Sequence, residues 1–451
     1  MEPMNSPPRR RARRLAALAL AAVLALFAWS LRNPARTLLS LRRPDPDAAC
    51  WTLDVHGDYR LDRVLARGAR NERELLEAVR AEFMPLLPRA ALPPLPDFGC
   101  STFVARTPDG RALFGRNFDL EPRTPPLVVR TRPRGGYASV STTGLLFLGF
   151  PDGAVPSPLP RRLALLAAPF VPVDGVNEKG LAAAVLMLPG ERPPEPDTGR
   201  TPIQTTLAVR LVLDRAATVD EALALLGRYE MHHAIGSAFH LHLADATGAS
   251  AVVEWDGPGG APRAVRPAAP AAPGAFAHQC CTNFRLADGA ESAAADNPGR
   301  VGADRFAALE AALAPAGGVL PDADAAADLL EAVSHRRDDW GPEGETIVAT
   351  QWSAVFDLAA PAVTLWPDCD RPRARRFRVT RSGSFPAESD SHAESAENAE
   401  PEPHAATVSV VSVDSVVMST GRNSGRAFPS IGPTTETTDT TESTSYAKIA
   451  P

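Results

Sequence analysis

The sequence predicts an α+β domain in which antiparallel sheets are covered by helices. Short β-prone runs are joined by hairpin-type turns, as at Thr107-Pro108-Asp109-Gly110 and Asp245-Ala246-Thr247-Gly248. Two blocks of helical periodicity, 202–228 and 303–334, lie between such runs. The order is therefore β-rich, helical, β, helical, β, without the βαβ alternation that would call for a parallel sheet.

The elements follow in order. Arg9, Arg10, Arg11, Arg13 and Arg14 precede an uncharged apolar run from Leu15 to Trp29. Residues 1–30 therefore read as a signal peptide or a membrane anchor, short for a span of ~20 residues. Ala28-Trp29-Ser30 offers a cleavage site, and the basic flank leaves the N-terminus cytoplasmic and the rest exported. Residues 31–99 read as linker and pro-segment. Within them Leu75, Leu76, Val79, Phe83, Leu86 and Leu87 mark an amphipathic helix over Glu72–Leu87. Pro93, Pro94 and Pro96 then make an extended lead-in to Cys100.

From Cys100 the texture is β. Strands are expected at Ser101–Arg106 and Ala112–Asn117, and as a pair at Tyr137–Thr142 and Gly144–Gly149. A turn in Val171–Gly180 leads to an apolar strand, Leu181–Leu188. Helices are expected at Pro202–Arg215, started by Thr201 with proline at the first helical position, and at Thr218–Arg228, where Thr218 and Glu221 have capping-box spacing. Phe239–Ala244 and Ser250–Trp255 form a hairpin, Ala303–Leu313 and Ala325–Ser334 are helices, and Thr346–Asp357 and Ala362–Trp366 close the domain as strands. After residue 381, Ser, Thr, Glu, Pro and Ala dominate and aromatics nearly vanish. Residues 382–451 are expected to be disordered, because they cannot bury enough apolar surface to offset chain entropy.

The formal charge of −6, with arginines spread along the chain, gives no basic stripe and excludes nucleic acid as the expected partner. Five cysteines, an odd number in an exported chain, leave at least one free or paired between chains. No Cys-x-x-Cys occurs, so no metal site is expected. Adjacent Cys280 and Cys281 would close a strained ring, which makes Cys50 with Cys369 a candidate bridge, with connectivity open.

Gly99-Cys100-Ser101-Thr102-Phe103 carries the chemistry. A cut between Gly99 and Cys100 would place a thiol and a free α-amine on one residue. An α-amine titrating near ~7.7–8.0 is a suitable proton acceptor for a thiol near ~8.5. Gly99 leaves the carbonyl uncrowded. Gly115-Arg116-Asn117-Phe118-Asp119 follows one strand and turn later.

These two stretches, with Gly-Val-Asn-Glu-Lys-Gly-Leu at 175–181, the hairpin at 244–254, Thr-Asn-Phe at 282–284, Asp-Arg-Phe at 304–306 and Trp-Ser-Ala-Val-Phe-Asp at 352–357, resemble one family over roughly residues 97–368. It is the choloylglycine hydrolase-like group of linear amide C–N hydrolases in the Ntn hydrolase superfamily, relatives of penicillin V acylases, bile salt hydrolases and acid ceramidase. The resemblance implies a four-layer αββα sandwich over residues 100–381. It implies Cys100 as nucleophile and Gly99–Cys100 as an autoproteolytic cut. Arg116 would favour the thiolate, and Asp119 would accept from the new α-amine. Asn283 would contact the acyl carbonyl in the tetrahedral intermediate, and Arg305 matches the late active-site arginine. Asn177 is expected to hold its turn.

The implied reaction is hydrolysis of a small-molecule N-acyl amide through a thioester, with no cofactor. The alternatives are acyl transfer to an amine and a non-catalytic binding protein on the same fold. One position departs from the family. Met187 stands where bile salt hydrolases carry asparagine and penicillin V acylases tyrosine, and its side chain cannot donate a hydrogen bond. Phe118, Leu120, Phe147 and Phe150 are expected mainly in the core, with an acyl pocket as their other use.

Overall fold

Strands whose residues are all buried cannot lie at a surface, and the two longest here, Ala112–Leu120 and Ala349–Asp357, are buried throughout. Both faces of their sheet must therefore be covered. The computed structural model describes residues 8–44, 49–83, 99–150, 159–189, 195–256, 260–270, 272, 274–287, 301–336 and 348–381.

The elements in chain order are α1 (Pro8–Leu39), β1 (Trp51–Asp54), α2 (Leu61–Arg67), α3 (Glu72–Phe83), β2 (Cys100–Arg106), β3 (Ala112–Leu120), β4 (Pro126–Thr131), β5 (Ser139–Gly144), α4 (Leu159–Arg162), β6 (Asp174–Asn177) and β7 (Ala182–Leu188). Then come β8 (Pro202–Gln204), α5 (Thr205–Arg215), α6 (Val219–Leu226), β9 (Glu230–His232), β10 (Ala238–Ala244), β11 (Ser250–Glu254), β12 (Arg263–Val265) and β13 (Gln279–Cys281). The last are α7 (Ala303–Leu313), α8 (Ala323–Ala332), β14 (Ala349–Asp357), β15 (Ala362–Pro367) and β16 (Arg375–Arg378).

The first sheet runs β1-β4-β5-β6-β7-β10-β11-β12 and the second β13-β2-β3-β14-β15-β16. All pairings in both are antiparallel except β1 on β4. Helix α5 covers β6 and β7, while α7 and α8 cover β2, β3, β13 and β14. The layers are thus helix, sheet, sheet, helix, the αββα sandwich.

Period-two alternation assigns each side chain of the second sheet to one interface. Phe114, Phe118, Trp352 and Phe356 fill the space between the sheets, and Phe103, Leu113 and Trp366 pack with Leu309 and Leu330 of the helical layer. Polar ties cross between sheets: Trp352 Nε1 donates to Asp174 Oδ2 (3.1 Å), and Thr102 Oγ1 lies 2.8 Å from His242 Nδ1. Gly115 faces Phe103 across the β2–β3 register, and a Cβ there would stand 2.3 Å from that ring.

Both expected hairpins form, as β2–β3 and β10–β11. Thr218 caps its helix, its Oγ1 accepting from Glu221 N (3.2 Å), while Glu221 Oε2 reaches back one residue past the cap to Ala217 N (2.7 Å). Asn177 holds its turn: Oδ1 accepts from Lys179 N and Leu181 N, and Nδ2 donates to Leu213 O and Ala216 O.

Several expectations are corrected. Pro202 begins a strand, not a helix, because β8 pairs with β9; the helix starts at Thr205, capped by the Gln204 side chain. The strand at 139–144 pairs with β4 and β6, while Leu145–Leu148 winds as a 3₁₀ turn. Residues 31–39, expected as linker, continue α1 as helix, since Thr37 and Leu38 are buried and Thr37 Oγ1 accepts from His56 N (2.9 Å). The candidate Cys50–Cys369 bridge is not formed: all five cysteines are thiols. Cys50 sits in the main core at the edge of the first sheet, whereas Cys369 hydrogen-bonds near Ser334 and Thr350 beyond the second.

Within α1, Arg13–Leu39 is long and apolar enough to cross a membrane, with a mean hydropathy of 2.0 over its most apolar 18 residues. The expected tail, the proline lead-in and residues 84–87 of the expected helix lie outside the described residues.

Candidate active site

Cys100 opens β2 at a point where the chain is gripped from both sides. Across the register it faces Phe118, so its side chain shares the inter-sheet face with that of Arg116. Asp119, one residue on, faces the helical layer. Its backbone N–H donates to the Gly99 carbonyl (3.0 Å), and its carboxylate takes Thr350 Oγ1 (2.6 Å) and Arg305 Nη1 (3.1 Å). A Cβ on residue 99 would stand 3.0 Å from Asp119 Oδ2 and 3.4 Å from Arg305 Nη2, so glycine is what lets the carboxylate and guanidinium close on this peptide.

Arg305, in the first turn of α7, gathers the rest. Nη1 donates to Cys100 O (2.7 Å) and Ser101 Oγ (2.7 Å), and Nη2 to Asn283 Oδ1 (2.9 Å). Gly302, at φ +80°, makes the room, since a Cβ there would lie 2.6 Å from Arg305 Nη2. Asn283 Oδ1 also accepts the Cys100 N–H (2.7 Å), while its Nδ2 donates to the Met187 carbonyl (2.8 Å). Met187 thus enters the network through its backbone, a contact any side chain at 187 permits.

Arg116 is buried on the other face, with Nε 3.5 Å from Asp174 Oδ2 and its guanidinium 5.2 Å from the Phe118 ring. Burial pushes the Cys100 thiol up to about 11, Arg116 and Arg305 oppose that rise, and Asp119 adds to it. Burial also raises the Asp174 carboxyl, against the pull of Arg116.

All five expected site residues, Cys100, Arg116, Asp119, Asn283 and Arg305, therefore come together around the Gly99–Cys100 peptide. Two contacts of the uncut chain bear on these roles. With that peptide intact, the acceptor for Cys100 N is Asn283 rather than Asp119, and the Asn283 amide donor is engaged by Met187 O. Sequence reasoning missed Asp174, Ser101 and Thr350. Asp174 directly precedes the Gly175-Val176-Asn177 motif and Ser101 lies inside the nucleophile motif, so a signal existed for both; Thr350 carried none.

Beside this centre lies an apolar cavity of about 60 Å³. Phe147, Val185, Ile235 and Phe239 line it, with Glu72 and Leu75 of α3. Phe147 meets Phe118, the register partner of Cys100, edge to face at 6.2 Å. Ile235 holds φ 48°, unusual for a β-branched residue, and Glu72 Oε1 accepts its N–H at 2.6 Å. Phe118, Leu120 and Phe150 are core, as expected. Among the described residues no group of His, Cys, Asp and Glu is arranged to hold a metal ion.

Residues 100–259 match the linear amide C–N hydrolases, choloylglycine hydrolase family, and the match begins at Cys100. A penicillin V acylase from Pectobacterium atrosepticum is 40% identical over 92 residues, covering 18% of this chain and 24% of the relative; the chain thus spans about a quarter of that relative's length. Among solved structures, a penicillin V acylase from Agrobacterium tumefaciens superposes with TM-score 0.42 at 21% identity, covering 62% of this chain and 85% of its own. A conjugated bile acid hydrolase from Clostridium perfringens gives TM-score 0.42 at 18% identity, covering 63% and 93%. The segment that opens at Cys100 and runs to residue 259 thus matches the choloylglycine hydrolase family of linear amide C–N hydrolases.

Proposed function

We propose that this chain is an autoprocessed N-terminal-cysteine amidase that hydrolyses a linear, small-molecule N-acyl amide. The observation that carries this reading is the hold on one peptide bond, by Asp119 N–H on the Gly99 carbonyl and Asn283 Oδ1 on the Cys100 N–H, with Arg305 fixing the next carbonyl, that of Cys100. That arrangement fixes the bond to be cut beside the thiol that cuts it.

In maturation the Cys100 thiolate attacks the Gly99 carbonyl carbon. The C–N bond breaks, the nitrogen takes a proton, and a thioester joins Gly99 to Sγ. Water hydrolyses it, leaving a Gly99 carboxylate, the thiol and a free α-amine held by Asn283 Oδ1. In turnover the α-amine takes the Cys100 proton and the thiolate attacks the substrate carbonyl. The oxyanion is stabilised by nearby donors, a contribution of roughly 10²–10³ in rate for each. The leaving amine departs with the proton, and water hydrolyses the acyl thioester to a carboxylate. The cavity beside Phe147 suits the apolar acyl portion. The segment before Cys100 stays attached through β1, and α1 serves as signal sequence or anchor for an exported enzyme.

Intact mass and N-terminal sequencing of the expressed chain test this, together with a panel of chromogenic N-acyl amides from phenoxyacetyl to long-chain. The expected result is a fragment beginning at Cys100, amide turnover, and loss of both in Cys100→Ala. An active chain that stays whole, or amide cleavage by Cys100→Ala, overturns the reading. Capture of the acyl group by an added amine would redirect it to acyl transfer.

A further inference from the structure

We propose that the buried His240–Glu254 pair is a positioning device that clamps both ends of the loop presenting Asn283. The proposal rests on Asn283's place in the site described above. Asn283 lies on neither strand nor helix: it follows β13 on a stretch running through residue 287. Something other than a hydrogen-bonded ladder must fix its side chain to the accuracy that catalysis requires.

Two fully buried side chains of the first sheet reach that stretch. His240, on β10, places Nε2 2.8 Å from the carbonyl of Thr282, the residue just before Asn283. Its Nδ1 lies 3.4 Å from Glu254 Oε1 at the end of β11. Glu254 in turn accepts Leu286 N (2.7 Å, Oε1) and Ala287 N (3.3 Å, Oε2). One imidazole–carboxylate pair thus grips the loop immediately before Asn283 and again three and four residues after it.

The chemistry of the acceptors sets the state of the ring. A carbonyl oxygen can only accept, and an ionised carboxylate can only accept. A ring that serves both carries hydrogens on both nitrogens, as an imidazolium balanced by the Glu254 carboxylate. Burial works to lower the His240 pKa, but the Cys281 sulfur 3.5 Å from Nε2 and the Glu254 carboxylate raise it to about 10. Glu254 is held below the usual carboxylate range: burial opposes this, but the His240 bond and the two backbone donors prevail. His242, two residues along on the same face, contrasts with it. Burial and the charge of His240 bring it down to about 3, and it serves Thr102 as a neutral ring.

The test uses the full chain. Selective ¹⁵N-histidine labelling reads ring protonation, mass spectrometry reads cutting, and a phenoxyacetyl amide reads turnover. In Cys100→Ala protein, which neither cuts nor turns over, the His240 ring should remain doubly protonated from pH 6 to 9; a neutral ring overturns the proposal whatever the enzyme's activity. His240→Gln should lower kcat about tenfold to a hundredfold with KM within about threefold, the scale on which a misplaced group acts. Glu254→Gln keeps an acceptor for Leu286 N but loses the charge, and should lower kcat about tenfold in a protein that melts cooperatively. Wild-type kcat in either folded variant, or losses that track only the folded fraction, overturns the clamp. Absence of amide turnover in the wild type would overturn the hydrolase reading instead, leaving the ring protonation and cutting rates to decide the clamp.

Discussion

The two sheets divide the labour unequally. The second carries the groups proposed to react on neighbouring strands: Cys100 on β2, Arg116 and Asp119 on β3, and Thr350 on β14. The first supplies support: the Met187 carbonyl on β7, Asp174 on β6, and His240 and Glu254 on β10 and β11. It also accepts β1, a strand from upstream of Cys100. A reacting centre needs groups a few ångströms apart, which adjacent strands provide from local sequence. Support comes from wherever the fold brings a buried partner, and so from distant sequence.

The largest expected effect strikes the supporting sheet. Asp54 of β1 forms a buried pair with Arg130 of β4 at 2.6 Å. Asp54→Ala removes a carboxylate partner of this buried arginine and should cost about 3 kcal/mol, read in denaturant unfolding, with loss of the upstream fragment from the cut protein on size exclusion. An unchanged unfolding midpoint would mean that β1 contributes little to the first sheet.

On the chemical side, Asn283→Ala should lower kcat by roughly 10²–10³, the range for loss of a polar group at the reacting carbonyl. A rise in KM with kcat intact would make Asn283 a binding residue. Smaller again is the pH response of cutting. A Cys100 thiol at about 11 is protonated near neutrality, and its thiolate fraction grows about tenfold per pH unit below that value. Cutting followed by mass after a pH jump should therefore accelerate about tenfold per unit between about pH 7 and 9. A flat profile would show that another group removes the proton.

The mildest change is Gly99→Ala. Its Cβ presses on Asp119 and Arg305, so cutting should slow several-fold. Turnover by protein already cut should match wild type, since residue 99 has left the nucleophile's chain. Slowed turnover after full cutting would place residue 99 in the mature site.

What the sequence made legible follows the same division. The β2–β3 hairpin was readable because its turn is local, and Arg116 and Asp119 came with it. Asn283 and Arg305 were found through motifs, since nothing in the strings around them shows that α7 and β13 meet at Cys100. The parallel pairing of β1 was hidden because its partner lies more than seventy residues away. His240 was passed over because a histidine on an apolar strand gives no hint of which buried carboxylate will face it. Met187 is legible only in part: its side chain cannot donate a hydrogen bond, and its backbone carbonyl enters the site as an acceptor for Asn283 Nδ2, which no residue letter records.

Strand β1 has one more consequence. A chain cut after Gly99 has its long apolar N-terminal helix on one polypeptide and its nucleophile on another, and no disulfide joins the five cysteines. Among the described residues, whatever mooring that helix provides then reaches the catalytic piece through β1, the helices packed beside it and ties such as Tyr59 on Asp214. Mooring becomes a folding equilibrium. Conditions that peel β1 and the helices beside it from the domain would release the piece that begins at Cys100 into solution, with no protease and no reductant required.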